Sequence, residues 1–387
     1  MKILHTSDWH IGRTFHGQST LDHLRQVFGA MVEIVKQNDV DVVVVSGDIF
    51  DSSMPSAENF TVLSTVLRDI KAAGASVVMT SGNHDSATRL GFQSEWAGLA
   101  GIHVITGFDQ YLRPIIIEDE YGPVNFYGIP YLEPSLIRHH YPSHELKTHE
   151  QVLTFAMDGI RADIARSDAR SVVLSHCFVS DVAASSEATD VERDITAGGL
   201  NLVPAAAFDG PDYVALGHIH GRTTITERVR YSGAPLHYSF GEAAKPRGGW
   251  LVTLDAGGLD EVTWIDFPVP RRLSVLTDDL EALLSDATYA SAESDWVCAI
   301  LTDRVRPVDA MRRLQRRFPF CAMLEHRPSV VVESSATTYG ERVKQKTDRE
   351  IVAGFLEHVR NGVGPSEFET DIVNDVFAEQ RVKEASE

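Results

Sequence analysis

Five times along this chain an apolar, strand-forming run stops at a cluster of carboxylate, amide or imidazole side chains. The sharpest case is Val42-Val43-Val44-Val45, which runs into Ser46-Gly47-Asp48. A continuous β-branched run of this kind reads as a strand buried on both faces. A carboxylate at its end is expensive unless something pairs with it. The other four clusters are Asp8 and His10 after residues 2–7, Asn83, His84 and Asp85 after 76–80, His176 after 171–174, and His218 and His220 after 213–216. Helical patterns separate the first three runs: Leu21, Leu24, Phe28, Met31, Val32 and Val35 mark one apolar face, and residues 57–73 a second helix. This β-α-β-α-β opening predicts a layered α/β (α+β) fold. Strand ends on one edge of such a sheet converge, so groups far apart in sequence can meet in one pocket.

The remaining pattern is more broken. A third helix is expected over 87–99, short strands near 104, 115–117 and 124–127, a Pro- and His-rich loop over 134–149, and a helix over 151–166. The acidic, Ala- and Ser-rich stretch 179–199 reads as a mobile loop. Alternating segments at 223–226, 229–232, 250–254 and 262–267 predict a closing set of antiparallel strands. Pro268-Val269-Pro270-Arg271 reads as a boundary, giving a main domain over 1–268. Beyond it, helix 279–285, strand 296–301, helix 309–318 and strand 329–333 predict a small α/β domain over 271–333. A polar linker, 334–346, leads to a C-terminal segment, 347–387, holding two amphipathic helices, 348–360 and 367–383.

Charge narrows the functional classes. The formal net charge is −20, from 35 Lys+Arg against 55 Asp+Glu. Taken alone, this argues against a self-sufficient nucleic-acid binder, because phosphate affinity comes from Lys and Arg; local patches and bound cations can override the total. Cys177, Cys298 and Cys321 are too widely spaced for a disulfide framework or a zinc pair. No signal sequence precedes the first strand, and no apolar run approaches the ~20 residues that span a bilayer. The expectation is a cytoplasmic protein. The chain has no Gly-x-x-x-x-Gly-Lys-Ser/Thr loop, so no ATP site of that type is expected.

The five clusters supply two carboxylates (Asp8, Asp48), one amide (Asn83) and four imidazoles (His10, His176, His218, His220), with Asp51, His84 and Asp85 in reserve. Mixed O/N ligation without thiolate suits Mn2+, Fe or Zn at a hydrolytic centre. Seven ligands exceed one ordinary site and fit two metals sharing a carboxylate, the arrangement that clamps an in-line displacement at phosphorus. In Asp8-x-His10 and His218-x-His220, residues i and i+2 of an extended segment point the same way. Gly47, Gly82 and Gly217 each precede a ligand candidate, where a sharp turn is needed. Each motif alone has an ordinary structural explanation as a turn or cap. Their recurrence at five strand ends does not.

Together, Asp8-x-His10, Gly47-Asp48-x-x-Asp51, Gly82-Asn83-His84-Asp85, Ser175-His176 and Gly217-His218-Ile219-His220 match the motif set of the calcineurin-like metallophosphoesterase superfamily. Within it the chain resembles the nuclease subunits that process DNA double-strand breaks, through residues 4–12, Gly47 to Asp51 followed by Pro55, 82–86, and 215–220. The resemblance implies a β-sandwich flanked by helices, a capping domain and C-terminal helices. It implies one metal on Asp8, His10 and His220, another on Asn83, His176 and His218, and Asp48 between them. His84 would serve the leaving oxygen and Asp51 would orient it. Mn2+ would be the preferred ion, with Mg2+ or Fe as alternatives.

The implied reaction is Mn-dependent cleavage of DNA, as a double-strand 3′–5′ exonuclease and a single-strand or hairpin endonuclease. The implied partner is an SMC-like ATPase carrying a long coiled coil, and the implied assembly a homodimer within a heterotetramer. On that reading Ile351, Phe355, Leu356 and Val359 of one helix and Ile372, Val373, Val376 and Phe377 of the other dock the partner. Phe92 and Trp96 are candidates for the dimer contact, or belong to the core. Arg312, Arg313, Arg316 and Arg317 repeat at i, i+4 on one helix and form either a DNA-phosphate contact or a solvated basic face. The competing readings are a stand-alone binuclear phosphatase acting on a phosphoprotein or small nucleotide, which the same ligands would serve, and a non-catalytic scaffold, which retained ligands argue against.

Overall fold

The computed structural model describes residues 1–179, 202–329 and 346–384. It divides into two compact units, Met1–Pro270 and Arg271–Glu387. The loop expected over 179–199, apart from Val179, which ends the short strand Phe178–Val179, lies outside the described residues, as do the end of the strand expected at 329–333 and the linker up to residue 345.

Two six-stranded sheets build the first unit. Their strands are β1 (Lys2–Thr6), β2 (Val42–Ser46), β3 (Ser76–Thr80), β4 (Ile102–Ile105), β5 (Ile115–Asp119), β6 (Gly122–Ile129), β7 (Arg170–His176), β8 (Tyr213–Gly217), β9 (Thr223–Thr224), β10 (Val229–Tyr231), β11 (Gly248–Asp255) and β12 (Gly258–Asp266). One sheet has the order β12-β11-β1-β2-β3-β4 and the other β9-β10-β8-β7-β6-β5. The alternation of a strand assigns its residues to two cores. Ile3, Val42, Val44 and Val78 of one sheet meet Val124, Phe126, Val172, Leu174 and Ala215 of the other. Their neighbours Leu4, Val43, Val45 and Val77 face outward onto helices Leu21–Gln37 and Ala57–Ala72, through Leu24, Phe28, Met31, Val62, Val66 and Ile70. On the opposite side Tyr127, Ile129, Val173 and Val214 face helix His149–Ile164. The result is an α/β/β/α sandwich whose central strands are buried on both faces, which is why β2 reads as an unbroken run of valines.

Within each sheet the central strands run parallel: β1 with β2, β2 with β3, β6 with β7, and β7 with β8. Their carboxyl ends therefore emerge on one edge.

Several local expectations change. The helix expected over 87–99 is broken into Ala87–Leu90 and Ser94–Leu99, because Gln93 takes a left-handed φ of 64° between them. The segment expected as a loop over 134–149 contains helix Pro134–His140: Pro134 suits the first helical position, and the Glu133 carboxylate accepts from Ser135 N. The expected closing antiparallel set is divided between the sheets. β11 and β12 form an antiparallel hairpin beside β1, whereas β10 runs parallel to β8.

The second unit has three parallel strands, Leu273–Asp278, Trp296–Leu301 and Cys321–His326, of which sequence patterning shows only the middle one. Leu280, Leu283, Val297, Ala299, Leu314 and Phe318 form its core. Helices Asp348–Val359 and Glu367–Glu384 follow, tied to each other by a bidentate ion pair of Arg360 with Glu369 at 2.7 and 2.9 Å. Among the described residues no helix is long and apolar enough to cross a membrane.

Phe126 is fully buried between the two sheets. Phe126→Ala should therefore lower unfolding free energy by about 3–5 kcal/mol, read as a lower denaturation midpoint in urea.

Candidate metal centre

The converging strand ends are stitched together before any side-chain chemistry begins. Asp8 N donates to Gly47 O at 3.1 Å, His10 N to Asp48 O at 3.0 Å, and Ile11 N to Ile49 O at 2.9 Å. This zips the loop after β1 to the loop after β2. Asp85 ties in the loop after β3: its carboxylate accepts from Gly82 N at 2.9 Å, Ile49 N at 3.0 Å and Phe50 N at 2.8 Å. Asp85 is thus engaged as a clamp, a role its place among the reserve ligands did not reveal. Burial, reinforced by the nearby Asp48 charge, pushes its carboxyl up to about 6 despite these bonds.

The glycines are needed for space. A Cβ on Gly82 would lie 2.1 Å from Asp48 Oδ1, one on Gly47 2.3 Å from His176 Nδ1, and one on Gly217 1.9 Å from Ser46 O. The backbone is also held out of its usual basins. Asp8, His10 and Asp48 have φ values of 53°, 43° and 50°, and His218 has 104°. Such conformations persist only where the surroundings over-determine them.

Every ligand candidate meets its neighbours. His10 Nε2 lies 3.1 Å from His220 Nε2, and both belong to a group with Asp8 able to hold an ion. Asn83 Oδ1 lies 3.0 Å from His176 Nε2 and 3.1 Å from His218 Nδ1. Asp48 Oδ2 sits between the two sets, 3.6 Å from His10 Nε2 and 3.3 Å from His176 Nε2. Asp8 is fixed by Ser7 Oγ at 2.5 Å and by His218 N at 3.1 Å. The His176 ring donates from Nδ1 to Ser46 O at 2.9 Å, which leaves Nε2 for the centre.

Electrostatics agree with a cation site. Burial holds His10 down at about 4 and His218 at about 3, so both rings are neutral and present a lone pair. Burial pushes Asp8 up to about 6. Asp48 differs: burial opposes its charge, but His176 and His10 beside it outweigh that and hold its carboxyl below the ordinary range. Burial opposes a charge on His176, but Asp48 and Asp8 beside it outweigh that and raise its ring to about 9. Donor atoms from five strand ends thus lie within 3.0–3.6 Å of one another around the Asp48 carboxylate, a spacing that a bound cation could bridge. These Asp and His residues are positioned for binding metal ions, and a donor set without sulfur suits a hard to borderline divalent cation. Cys177, next to His176, is buried with its thiol pushed up to about 12, which makes it unsuited to ligation.

The two residues outside the ligand set divide differently than sequence suggested. His84 N donates to Asp48 Oδ1 at 2.9 Å, and its Nδ1 faces the backbone carbonyl of Asp51 at 3.0 Å. The Asp51 carboxylate instead lies 3.2 Å from His10 Nδ1, off hydrogen-bond alignment, and 3.4 Å from Arg13 Nη1. His10 and Arg13 hold it below the ordinary carboxylate range against the effect of burial. Sequence reasoning missed Tyr238, whose ring packs edge-on against His10 and His220, and Glu242, which is buried beside His220.

Away from the centre, Phe92 and Trp96 are 74% and 75% exposed. In the second unit Arg312 pairs with Asp309, Arg313 with Glu281, and Arg317 with Glu293 at 3.0 Å. On the C-terminal helices Phe355, Val359, Ile372 and Val376 are exposed, and Ile351, Leu356, Val373 and Phe377 are half-buried.

The family model described as Calcineurin-like phosphoesterase matches residues 1–222, more than half of the chain. The protein belongs to that family and is by class a phosphoester hydrolase. A second model, SbcD_C, described as Type 5 capsule protein repressor C-terminal domain, matches residues 269–360. The pair of domains is that of an SbcD-type nuclease subunit. Similar solved structures include a dimetal phosphatase from Danio rerio, at 14% identity and a TM-score of 0.41 over 69% of this chain and 99% of that one. They also include GAP50, the anchor in the inner membrane complex of Plasmodium, at 11% identity and a TM-score of 0.41 over 85% and 98%.

Gly82→Ala should weaken divalent-metal binding about tenfold or more by displacing Asp48. Gly29→Ala, whose added Cβ meets nothing within 4 Å, should leave binding unchanged. Calorimetric Mn2+ titration of the two variants checks this.

Proposed function

We propose that this chain is a two-metal DNA phosphodiesterase, the Mn2+-dependent nuclease subunit that works on DNA ends and hairpins with an SbcC-like ATPase. The observation that carries the reading is Asp48 Oδ2, set between the histidines of two ligand groups. Asp8, His10 and His220 would hold one ion, Asn83, His176 and His218 the other, and Asp48 would be shared. Two divalent cations supply positive charge to both the attacking and the leaving oxygen of a phosphodiester.

The chain's own residues supply position and a proton. Because a carbonyl oxygen can only accept, His84 Nδ1 carries the hydrogen shared with Asp51 O. That fixes the ring with Nε2 directed away from Asp51. When protonated, Nε2 can deliver a proton to the departing oxygen, which is general acid work. Asp51 acts through its backbone on His84 and through its carboxylate on His10. The ATPase partner is assigned to the helix pair 348–384, where Phe355, Val359, Ile372 and Val376 are 46–57% exposed among the described residues. An exposed apolar helix face of this kind suits a coiled-coil groove. Phe92 and Trp96 are assigned to a homodimer contact on the same ground of exposure.

The test is a Mn2+-dependent assay on blunt and hairpin-ended duplexes, with and without a co-purified ATPase subunit. Cleavage should stop in chelator. His84→Ala should reduce the rate by about 10²–10⁴-fold while Mn2+ stoichiometry holds; a folded variant cleaving at the wild-type rate removes His84 from the reaction. Turnover of phosphomonoesters with no action on DNA would select the stand-alone phosphatase instead. Phe355→Asp combined with Val376→Asp should abolish co-purification of the ATPase and leave Mn2+ binding of the isolated chain intact.

A further inference from the structure

The two ligand groups are not supported alike. Behind His176 the support is a neutral carbonyl, Ser46 O. Behind His220 it is a buried ion pair on the segment 238–247. Glu242 is 1% exposed and its Oε1 lies 3.5 Å from His220 Nδ1. The same carboxylate is held rigidly from elsewhere. Ser239 Oγ donates to Oε1 at 3.1 Å, Tyr238 N to Oε2 at 3.0 Å, and Arg247 Nη2 to Oε2 at 2.7 Å.

Arg247, 2% exposed, also reaches the backbone of the same histidine, since Nη1 donates to His220 O and to Ala234 O. His220 is therefore gripped at both ends, by Glu242 on its ring and by Arg247 on its carbonyl. The Tyr238 ring closes the third side, 5.5 Å from the His10 ring and 5.7 Å from that of His220, with its hydroxyl donating to Trp9 O at 2.9 Å. An acid and a base this deeply buried are costly to desolvate, and a Glu at the end of a short 3-10 turn has no need of such a site for the fold alone. What the arrangement does provide is a carboxylate facing Nδ1 of a ring whose Nε2 faces the centre. An outer carboxylate of this sort fixes the tautomer, aims the ring and raises its basicity.

We propose that Glu242, clamped by Arg247, is a positioning residue that selectively strengthens metal binding at the Asp8–His10–His220 position, leaving the Asn83–His176–His218 position to its weaker carbonyl support. The inference rests on the two-position reading given above. It makes the centre asymmetric among the described residues: one position has a histidine backed by a buried ion pair, and His176 of the other is backed by a carbonyl.

The experiment is Mn2+ titration of the full chain by calorimetry, with electron paramagnetic resonance to separate single from paired ions. Wild type, Glu242→Gln and Glu242→Asp are compared, with circular dichroism as the check on folding. Gln keeps the shape and removes the charge. Asp keeps a charge for Arg247 but withdraws it from His220, so it decides the matter if Gln does not fold. The expected result is a selective loss: one binding step weakened by about 10–100-fold and the other unchanged, with the paired-ion signal giving way to a single-ion one at intermediate Mn2+. Equal weakening of both steps, or wild-type affinities in a folded variant, overturns the proposal. A wild-type chain that binds only one ion overturns instead the two-position reading beneath it.

Discussion

Asp48 carries a charge that the interior would reject on its own, and much of the first unit is arranged to tolerate it. Its carboxylate is met by two histidines, by the backbone N–H of His84, and by a glycine with no side chain to compete for the same volume. None of these comes from its own strand. They arrive from β1, β3 and β7, so the charge can be satisfied only once both sheets are formed and packed. The sandwich and the centre are one construction: the valines that bury β2 on both faces also place its last turn where five strand ends meet.

Support then radiates outward in layers of decreasing visibility to sequence. The candidate ligands are legible because each follows the end of an apolar run, where Asp, Asn or His breaks the pattern, in some cases beside a Gly such as Gly47, Gly82 or Gly217. The layer behind them is not. Glu242 lies in Ser239-Phe240-Gly241-Glu242, which looks like any surface turn, and its partner Arg247 looks like any surface base. Their burial is a tertiary fact, fixed by contacts with residues more than two hundred positions away, such as Trp9 with Tyr238. Asp51 illustrates the same limit at shorter range. Sequence places it three residues after Asp48, but the turn sends its carboxylate toward His10 and only its carbonyl toward His84. The fold was readable to a similar depth. Buried parallel strands announce themselves by composition, whereas Leu273–Asp278 and Cys321–His326 mix polar and apolar residues and escaped notice.

The two units differ in how they satisfy charge. The first has exposed pairs such as Lys36 with Glu33 and also buried ones that point inward, as with Arg170 on Asp119 or Arg247 on Glu242. In the second, the arginines of helix Ala310–Arg317 are mostly spent on neighbouring carboxylates at the surface. Such pairs contribute little to stability, but they lower the free positive charge available to a polyanion. A chain with a net charge of −20 thus keeps little unpaired basicity on that helix.

The left-handed backbone at Asp8, His10 and Asp48 bears on how the centre is dissected by mutagenesis. Asp and Asn accept this conformation because a short polar side chain can bond locally, while other L-residues pay roughly 1–2 kcal/mol for it. Alanine at Asp8 or Asp48 therefore removes a candidate ligand and also a side chain that tolerates the left-handed turn. The amide keeps the turn and changes only the charge. Alanine phenotypes at these positions mix coordination chemistry with backbone relaxation, and Asp→Asn pairs are the substitutions that separate the two.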